Sequence, residues 1–207
     1  MAQTTLFGSY SVADVRAEVW EAFITQHHER VFPHEVTLPL DGALSQQEQA
    51  KLTALRQNMA ASLQLYLLVY DGEEPIGWHF GFQRNDIEYH MASTGILPEY
   101  QNRGIYSAFL RYAKARIFGE GFQYITSLHR CDNNAVLVPK LKAGFQIQAF
   151  GFLIQPMLFE ANYGPMVQLI CPAKELYRSL FDAKAGTRPL AEQLQQQLPH
   201  PPPEPAP

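Results

Sequence analysis

The stretch Ile96-Leu97-Pro98-Glu99-Tyr100-Gln101-Asn102-Arg103-Gly104-Ile105-Tyr106 decides the fold of this chain. Before it, residues 87–92 alternate between two sets of side chains, and this period of two predicts a β-strand. After it, apolar residues recur at helical spacing as far as Ile117, and glycines at 119 and 121 end the pattern. The stretch is therefore predicted to be a turn from a strand into a helix, with Gly104 at its tightest point.

The backbone of this turn is predicted to bind an anion. The N–H groups of residues 101–106 would point out of the helix start, which carries roughly half a positive charge, and Arg103 adds a full one. Such a turn suits a phosphate or a pyrophosphate. Two common phosphate-binding motifs, G-x-x-x-x-G-K-[ST] and G-x-G-x-x-G, are absent from the sequence.

The turn resembles the V-x-P-x-x-[QR]-x-x-G-x-[GA] motif of the GNAT superfamily of N-acetyltransferases. The chain has Ile96, Pro98, Gln101 and Gly104 at the motif positions. It departs from the motif at the last position, where Tyr106 stands in place of Gly or Ala. The side chain of Tyr106 must then point away from the phosphate, or the cofactor must sit differently.

The helix after the next strand carries a second resemblance. Members of the family often have the signature N-x-x-A-x-x-x-Y-x-K-x-G-F at this place. This chain agrees at Asn133, Lys142, Gly144 and Phe145, whereas Lys140 stands where the family has Tyr. That tyrosine is the usual acid of the family, and a lysine that is charged at neutral pH is a weak acid. Tyr106 and Tyr112 are possible substitutes.

The order of predicted elements is β, α, α, β, β, β, α, β, α, β, β, an α+β class with one central sheet. It is similar to the GNAT fold through roughly residues 1–172, which implies a mixed, mostly antiparallel sheet flanked by helices in a single domain. We predict a domain over residues 1–185 and a Pro/Gln-rich, disordered tail over 186–207. In the N-terminal half we predict a first strand over 4–10, a helix from a cap at 11–14 to about 30, and a capping box at 45–48 that opens a second helix. A β-bulge is predicted at 94–95. In the C-terminal half we predict strands over 122–130, 145–154 and 166–171, a short helix that ends at 143, and a last helix over 172–181.

Composition limits the function. The net charge is −4 and no basic run occurs, which argues against nucleic acid as a partner. The N-terminus lacks the features of a signal peptide, and no apolar segment is long enough to span a bilayer. Cys131 and Cys171 lack metal-ligand spacing, so we expect no metal and two reduced thiols in a cytoplasmic protein.

The resemblance implies acetyl-CoA as co-substrate and acyl transfer to an amine. Its pyrophosphate would rest on the amides from Gln101 to Tyr106, and its pantetheine arm would pair with the backbone of Ile96. The bulge would splay this strand from its neighbour and open the gap for that arm. Asn133 and Asn134 would contact the cofactor from the far side, and Lys140 would meet a phosphate or the thiolate. The predicted cofactor-binding residues are Ile96, Leu97, Gln101, Asn102, Arg103, Gly104, Ile105, Tyr106, Asn133, Asn134 and Lys140.

The catalytic base is predicted at His90, with Glu88 beside it. An alkyl ammonium has a pKa near ~10.4 and must lose a proton before attack. In some family members a glutamate lies eleven positions before the motif glutamine, and His90 holds that position here. Glu88, on the same strand face, would orient His90 or act through water. For the other histidines a structural role or a solvated helix end is the simpler interpretation: His27, His28, His34, His79 and His129.

Three functions remain open from the sequence. The first is an N-acetyltransferase that acts on a primary amine of a small molecule or peptide. The second is an acyl-CoA-binding module with impaired catalysis, which Lys140 and Tyr106 would support. The third, to which we give little weight, is a structural protein that docks through its Pro-rich tail. The resemblance also leaves a homodimer open, and no readable motif names the acceptor.

Overall fold

The computed structural model describes residues 3–33, 45–59, 62–152, 155–157, 160–162, 165–175 and 178. The chain divides into two units, Met1–Cys171 and Pro172–Pro207, and only residues 172–175 and 178 of the second are described. Most of the predicted last helix, the domain boundary at 185/186 and the predicted disordered tail therefore lie outside the described residues.

The elements follow the predicted order, with additional strands. The helices are α1 (Ala17–Val31), α2 (Gln46–Met59), α3 (Ile105–Gly119) and α4 (Asn134–Lys142), with a 3-10 turn at Pro98–Tyr100. The strands are β1 (Thr4–Phe7), β2 (Tyr10–Asp14), β3 (Gln64–Asp71), β4 (Glu74–Gln83), β5 (Glu88–Ile96), β6 (Tyr124–Arg130), β7 (Gln146–Phe152), β8 (Gln155–Met157), β9 (Glu160–Asn162) and β10 (Pro165–Pro172).

Eight of these strands form one sheet in the order β1-β2-β3-β4-β5-β6-β10-β7, and β8 and β9 form a separate hairpin. The pairs from β1 to β5 are antiparallel, as is the pair of β10 with β7. β5 and β6 pair in parallel, with α3 as the connection between them. This mixed, mostly antiparallel sheet with flanking helices confirms the predicted α+β class.

Alternate residues of the sheet bury two apolar layers on its two faces. On β3, Leu65, Leu67 and Val69 belong to the layer that contains the apolar face of α3, as their period of two requires. Leu68 belongs to the other layer, with Trp20 of α1. Strands β5 and β6 pair over only part of their length, and residues of both layers, such as Trp20 and Met91, line the cavity beside them.

The prediction for the N-terminus is wrong in its boundaries. The expected strand over residues 4–10 is a hairpin, and the expected helix cap at Ser11 to Asp14 is part of β2. β2 pairs with β3 along its whole length and buries Val12 and Ala13. Pairing with a distant strand has outweighed the local capping signal, and α1 begins only at Ala17.

The predicted capping box at Ser45 and Glu48 is confirmed by reciprocal hydrogen bonds between these two residues.

The predicted bulge at Thr94–Gly95 is also misplaced. Phe80 pairs with Ser93 and Gly81 pairs with Met91, so the extra residue is Ala92. Gly95 serves packing instead, since a Cβ there would lie 2.5 Å from the Trp78 ring. The glycine allows the buried indole to lie directly against the backbone of β5.

We expect Gly95→Ala to lower the free energy of unfolding by about 1–3 kcal/mol, because the Trp78 ring must move to admit the methyl group. Gly119→Ala is the matched control. A Cβ at Gly119, the last residue of α3, meets no atom within 4 Å, and alanine favours helix. Urea denaturation measures both variants. Equal stability of the two alanine variants would contradict the packing role of Gly95.

Candidate active site

β5 and β6 pair over only part of their length, and the sheet opens beyond that point. The paired residues are Glu88 to Met91 of β5 and Tyr124 to Ser127 of β6. At the far end of β5, the Leu97 N–H donates to the Ile76 carbonyl at 2.9 Å. Peptide groups alternate in direction along a strand, so the N–H and C=O of Ile96 face away from β4 and into the gap. The gap thus has a strand edge along one side.

The predicted turn closes one end of this gap. Gly104 has φ +81° and precedes the first residue of α3, while Asn102 has φ +60°. These left-handed positions explain the glycine and the asparagine, the two residue types that adopt such angles most readily. Within the described residues, no acceptor receives a backbone hydrogen bond from the amides of 102–107. A Cβ at Gly104 would meet no atom within 4 Å, so the backbone here is open to a ligand.

Side chains of the turn fold back and hold it in shape. Gln101 Nε2 donates to the Ile96 carbonyl at 2.9 Å, and Arg103 donates to the Glu99 carbonyl at 2.7 Å. Both oxygens of the Glu99 carboxylate accept from Arg30 of α1, at 2.8 and 3.0 Å. The turn is therefore braced by its own side chains and by α1, which leaves its backbone amides as the groups that face a ligand.

Two adjoining cavities lie along the gap. The smaller, of about 420 Å³, contains the turn, and the larger, of about 680 Å³, contains His90. Of the predicted cofactor residues, the smaller cavity is lined by Ile96, Gln101, Asn102, Gly104, Ile105, Tyr106 and Asn133, whereas Leu97, Arg103, Asn134 and Lys140 do not line it. Both cavities share the walls Val31, Phe32, Thr94, Tyr106, Asn133 and Val136. Tyr106 lines both cavities, and its buried hydroxyl has no hydrogen-bond partner among the described residues.

His90 and Glu88 are joined through the hydroxyl of Thr126. Thr126 Oγ1 lies 2.6 Å from Glu88 Oε1 and 3.0 Å from His90 Nδ1. A carboxylate can only accept, so the hydroxyl proton points to Glu88 and the hydroxyl oxygen accepts from Nδ1–H of His90. This assigns the tautomer of the neutral imidazole and leaves the Nε2 lone pair available as a base. The Glu88 carboxylate is thus linked to the His90 imidazole through the hydroxyl of a threonine on β6.

Burial lowers the pKa of His90 to about 4, with smaller lowering effects from Arg84 and Lys140 and an opposing effect from Glu88. The sequence-based expectation was an ordinary histidine pKa near ~6.5. The difference arises because only 6% of His90 is exposed and the charged imidazolium loses its hydration there. His90 is therefore neutral at physiological pH.

The remaining histidines fall into structural roles or at cavity walls. His79 is fully buried and contacts the hydroxyls of Thr94, at 2.8 Å, and Tyr89, at 3.1 Å. His129 lies 3.1 Å from Ser127 Oγ and lines the larger cavity, as does His28 of α1. His27 Nδ1 lies 3.0 Å from Arg30. His34 lies outside the described residues.

Lys140 is buried in the wall of the larger cavity. It is 1% exposed, its Nζ lies 3.8 Å from Met91 Sδ, and it lies 5.1 Å from the centroid of the Phe145 ring. Burial lowers the pKa of Lys140 to about 7, with a small opposing effect from Cys171. The sequence alone predicts a lysine that is fully charged at neutral pH. Lys140 is not among the residues that line the smaller cavity, which contains the turn.

We expect Lys140→Met to alter the pH dependence of stability. The unfolded lysine keeps its proton up to about pH 10.4, whereas the folded one loses it near pH 7, so the unfolding free energy rises between these values. From about pH 7 to about pH 9 the wild type should gain about 2 kcal/mol more than the variant does. Chemical denaturation at both pH values measures this, and parallel changes in the two proteins would contradict it.

Thr126 is the residue that the sequence analysis missed. It lies 36 positions from His90 and becomes its neighbour only because β5 and β6 pair in parallel, with His90 opposite Thr126.

Among the described residues, no group of three or more His, Cys, Asp or Glu side chains suits a metal ion. Within the described residues neither cysteine forms a disulfide, and Cys171 is buried. No helix in the described part of the chain is long and apolar enough to cross a membrane.

Comparison with known proteins agrees with this geometry. The acetyltransferase (GNAT) family profile matches residues 17–145. A search of curated proteins finds no sequence that matches significantly. Among solved structures, yncA of Salmonella typhimurium, a putative acetyltransferase with its cofactor acetyl-CoA, has a TM-score of 0.56 at 12% identity, with 81% of this chain and 96% of that chain covered.

Two further structures show the same fold. The ribosomal-protein-S18-alanine N-acetyltransferase of Escherichia coli has a TM-score of 0.55 at 13% identity and covers 79% of this chain and 93% of its own. A spermidine N-acetyltransferase SpeG chimera from Vibrio cholerae and hSSAT has a TM-score of 0.57 at 15% identity, with 80% and 96% covered. The fold and the splayed strands define an acetyltransferase scaffold. The chain belongs to the GNAT acetyltransferase family, since the matched residues span more than half of it.

Proposed function

We propose that this protein is an acetyl-CoA-dependent N-acetyltransferase that acts on a primary amine of a small molecule or peptide. The observation that carries the proposal is the juxtaposition of two features at one gap in the sheet. A turn with open backbone amides lies at one end, and a buried imidazole with a free Nε2 lone pair lies in the adjoining cavity.

The residues of the smaller cavity fit the cofactor. The amides of 102–106 would receive the pyrophosphate, because helix-start N–H groups without partners bind anions and Arg103 adds positive charge nearby. The N–H of Ile96 would pair with the pantetheine arm, while its carbonyl already accepts from Gln101. Asn133 lines both cavities and would contact the cofactor from the opposite side. Acetyl-CoA supplies the activated acetyl group, and its thiol is a good leaving group.

An ammonium acceptor would first lose one proton to solvent, and the neutral amine would attack the acetyl carbon. His90 would then take the second proton at Nε2, because the nitrogen becomes far more acidic as the new bond forms, so a weakly basic imidazole suffices. The carbon–sulfur bond breaks, and the CoA thiolate that leaves takes up that proton. The positive charge that develops on His90 is stabilised through Nδ1–H, Thr126 and the Glu88 carboxylate. Positioning in the gap would supply much of the remaining rate enhancement.

Two measurements on the purified full chain test the proposal. Saturating acetyl-CoA, at about a hundred times its Kd, should stabilise the protein by about 2.7 kcal/mol and raise its Tm. A panel of primary amines with a thiol-release readout should then show turnover. Cofactor binding without turnover of any amine would favour the impaired binding module, and absence of a Tm shift would contradict both functions. A cytoplasmic location and a homodimer stay predictions.

A further inference from the structure

The larger cavity contains a buried amine, Lys140, to which no carboxylate of the described residues is paired. Within the described structure, the only hydrogen bond from Lys140 Nζ goes to the Met91 sulfur at 3.8 Å, a weak acceptor. No salt bridge among the described residues includes Lys140. A buried ammonium without a counter-ion is costly, so a ligand that supplies an anion here gains binding energy.

The carboxylates of the wall do not fill this role. Among the described residues that line the larger cavity, Asp132 is the only acidic one. Arg130 donates to both oxygens of the Asp132 carboxylate, from Nε at 3.0 Å and from Nη2 at 2.7 Å. Both side chains are more than half exposed. A second ammonium group on an acceptor would therefore find no unpaired carboxylate among the described residues of this wall. A carboxylate on the acceptor, by contrast, would find Lys140.

The indole N–H of Trp20 is a second buried donor in the wall of this cavity. The Trp20 Nε1–H is buried and has no hydrogen-bond acceptor among the described residues. An indole N–H can only donate, and an unmade bond at a buried donor costs about 1–3 kcal/mol. The indole packs against the rings of Tyr66 and Phe80, at centroid distances of 5.6 and 5.4 Å, so this wall is otherwise apolar. It suits an apolar side chain with an oxygen acceptor close by.

We propose that the amine acceptor is an α-amino carboxylate with an apolar side chain, whose carboxylate pairs with Lys140 while its amine faces His90. The proposal rests on the acetyltransferase function proposed above. His90 and Lys140 both line the larger cavity, so one ligand in that cavity can face both side chains. The apolar side chain would lie against Trp20, Phe32 and Phe80.

Three ligands that differ in one group test this assignment: L-phenylalanine, L-phenylalaninamide and 2-phenylethylamine. Their Kd values are measured by calorimetry with CoA present. We expect the wild type to bind the acid at least about tenfold more tightly than the amine, with the amide between them. In Lys140→Met this preference should disappear. Trp20→Phe keeps an aromatic ring and removes the indole N–H. It should raise the Kd values of L-phenylalanine and L-phenylalaninamide by up to about tenfold.

Lys114→Met is the matched control. Lys114 lies over the same Phe145 ring, at 5.8 Å, but lines neither cavity, so its removal should leave the preference for the acid intact. Equal binding of all three ligands by the wild type would overturn the proposal. Equal binding of L-phenylalanine and L-phenylalaninamide by the wild type would also overturn it, and would indicate that Lys140 contacts a peptide carbonyl. A raised Kd for CoA in Lys140→Met with an unchanged preference would instead assign Lys140 to the cofactor.

The same ligands distinguish failure of this inference from failure of the proposed function. Thiol release from acetyl-CoA with 2-phenylethylamine as efficient as with L-phenylalanine would leave an acetyltransferase without carboxylate selectivity. Selective binding of L-phenylalanine, with no thiol release from acetyl-CoA in the presence of any amine, would support the proposed ligand class and contradict the proposed acetyltransferase activity.

Discussion

We expect His90→Gln to lower kcat by about a hundred- to ten-thousand-fold, the range for loss of a positioned general base. Glutamine has similar size and can still hydrogen bond to Thr126, so the cavity should keep its shape. The Kd for acetyl-CoA, measured by thermal shift, should stay within a few-fold of wild type, because His90 does not line the cavity with the turn. Because the pKa of His90 is about 4, wild-type kcat should fall only at acidic pH, as the base becomes protonated.

Two further variants define what the histidine does. Thr126→Val breaks the link between His90 and Glu88 and should lower kcat by about tenfold, since the imidazole keeps its place but loses its orientation and charge stabilisation. His27→Gln removes a histidine that lines neither cavity and should have no effect on kcat. Full activity of His90→Gln with a normal Kd for acetyl-CoA would exclude His90 as the base.

Gly104→Asp should abolish the Tm shift that acetyl-CoA produces. A carboxylate at this position would stand among the amides that receive the pyrophosphate, and it would repel the phosphate charges at the helix start. The open space around Gly104 allows the side chain to be accommodated, with a cost of about 1–2 kcal/mol for the left-handed backbone.

Gly104→Asn is the control for that backbone cost, since asparagine has the same shape without the charge and Asn102 already adopts a positive φ in this turn. We expect the aspartate variant to bind acetyl-CoA at least about tenfold more weakly than the asparagine variant, or about 1.4 kcal/mol. Equal Tm shifts in the two variants would place the phosphates elsewhere.

Local pattern was enough for the elements around the turn. The alternation over 87–92, the glycine at 104 and the helical spacing after it each depend on a few neighbouring residues, and the structure has a strand, a left-handed glycine and a helix there. Local pattern failed at residues 10–14, where pairing with β3 overrides a capping signal, and at the bulge, which lies at Ala92. In both cases the partner strand decides the conformation, and its register cannot be read from local sequence.

The sequence by itself determined the family, the α+β class and the glycine turn between β5 and α3, because these follow from residue types at fixed short spacing. Only the tertiary structure decided the chemistry of the site. Parallel pairing placed Thr126 between His90 and Glu88 and so fixed the tautomer of the His90 imidazole. Burial moved the pKa of His90 to about 4 and that of Lys140 to about 7. The cost of removing a charge from water depends on what surrounds it, and those surroundings come from segments that are distant in the chain.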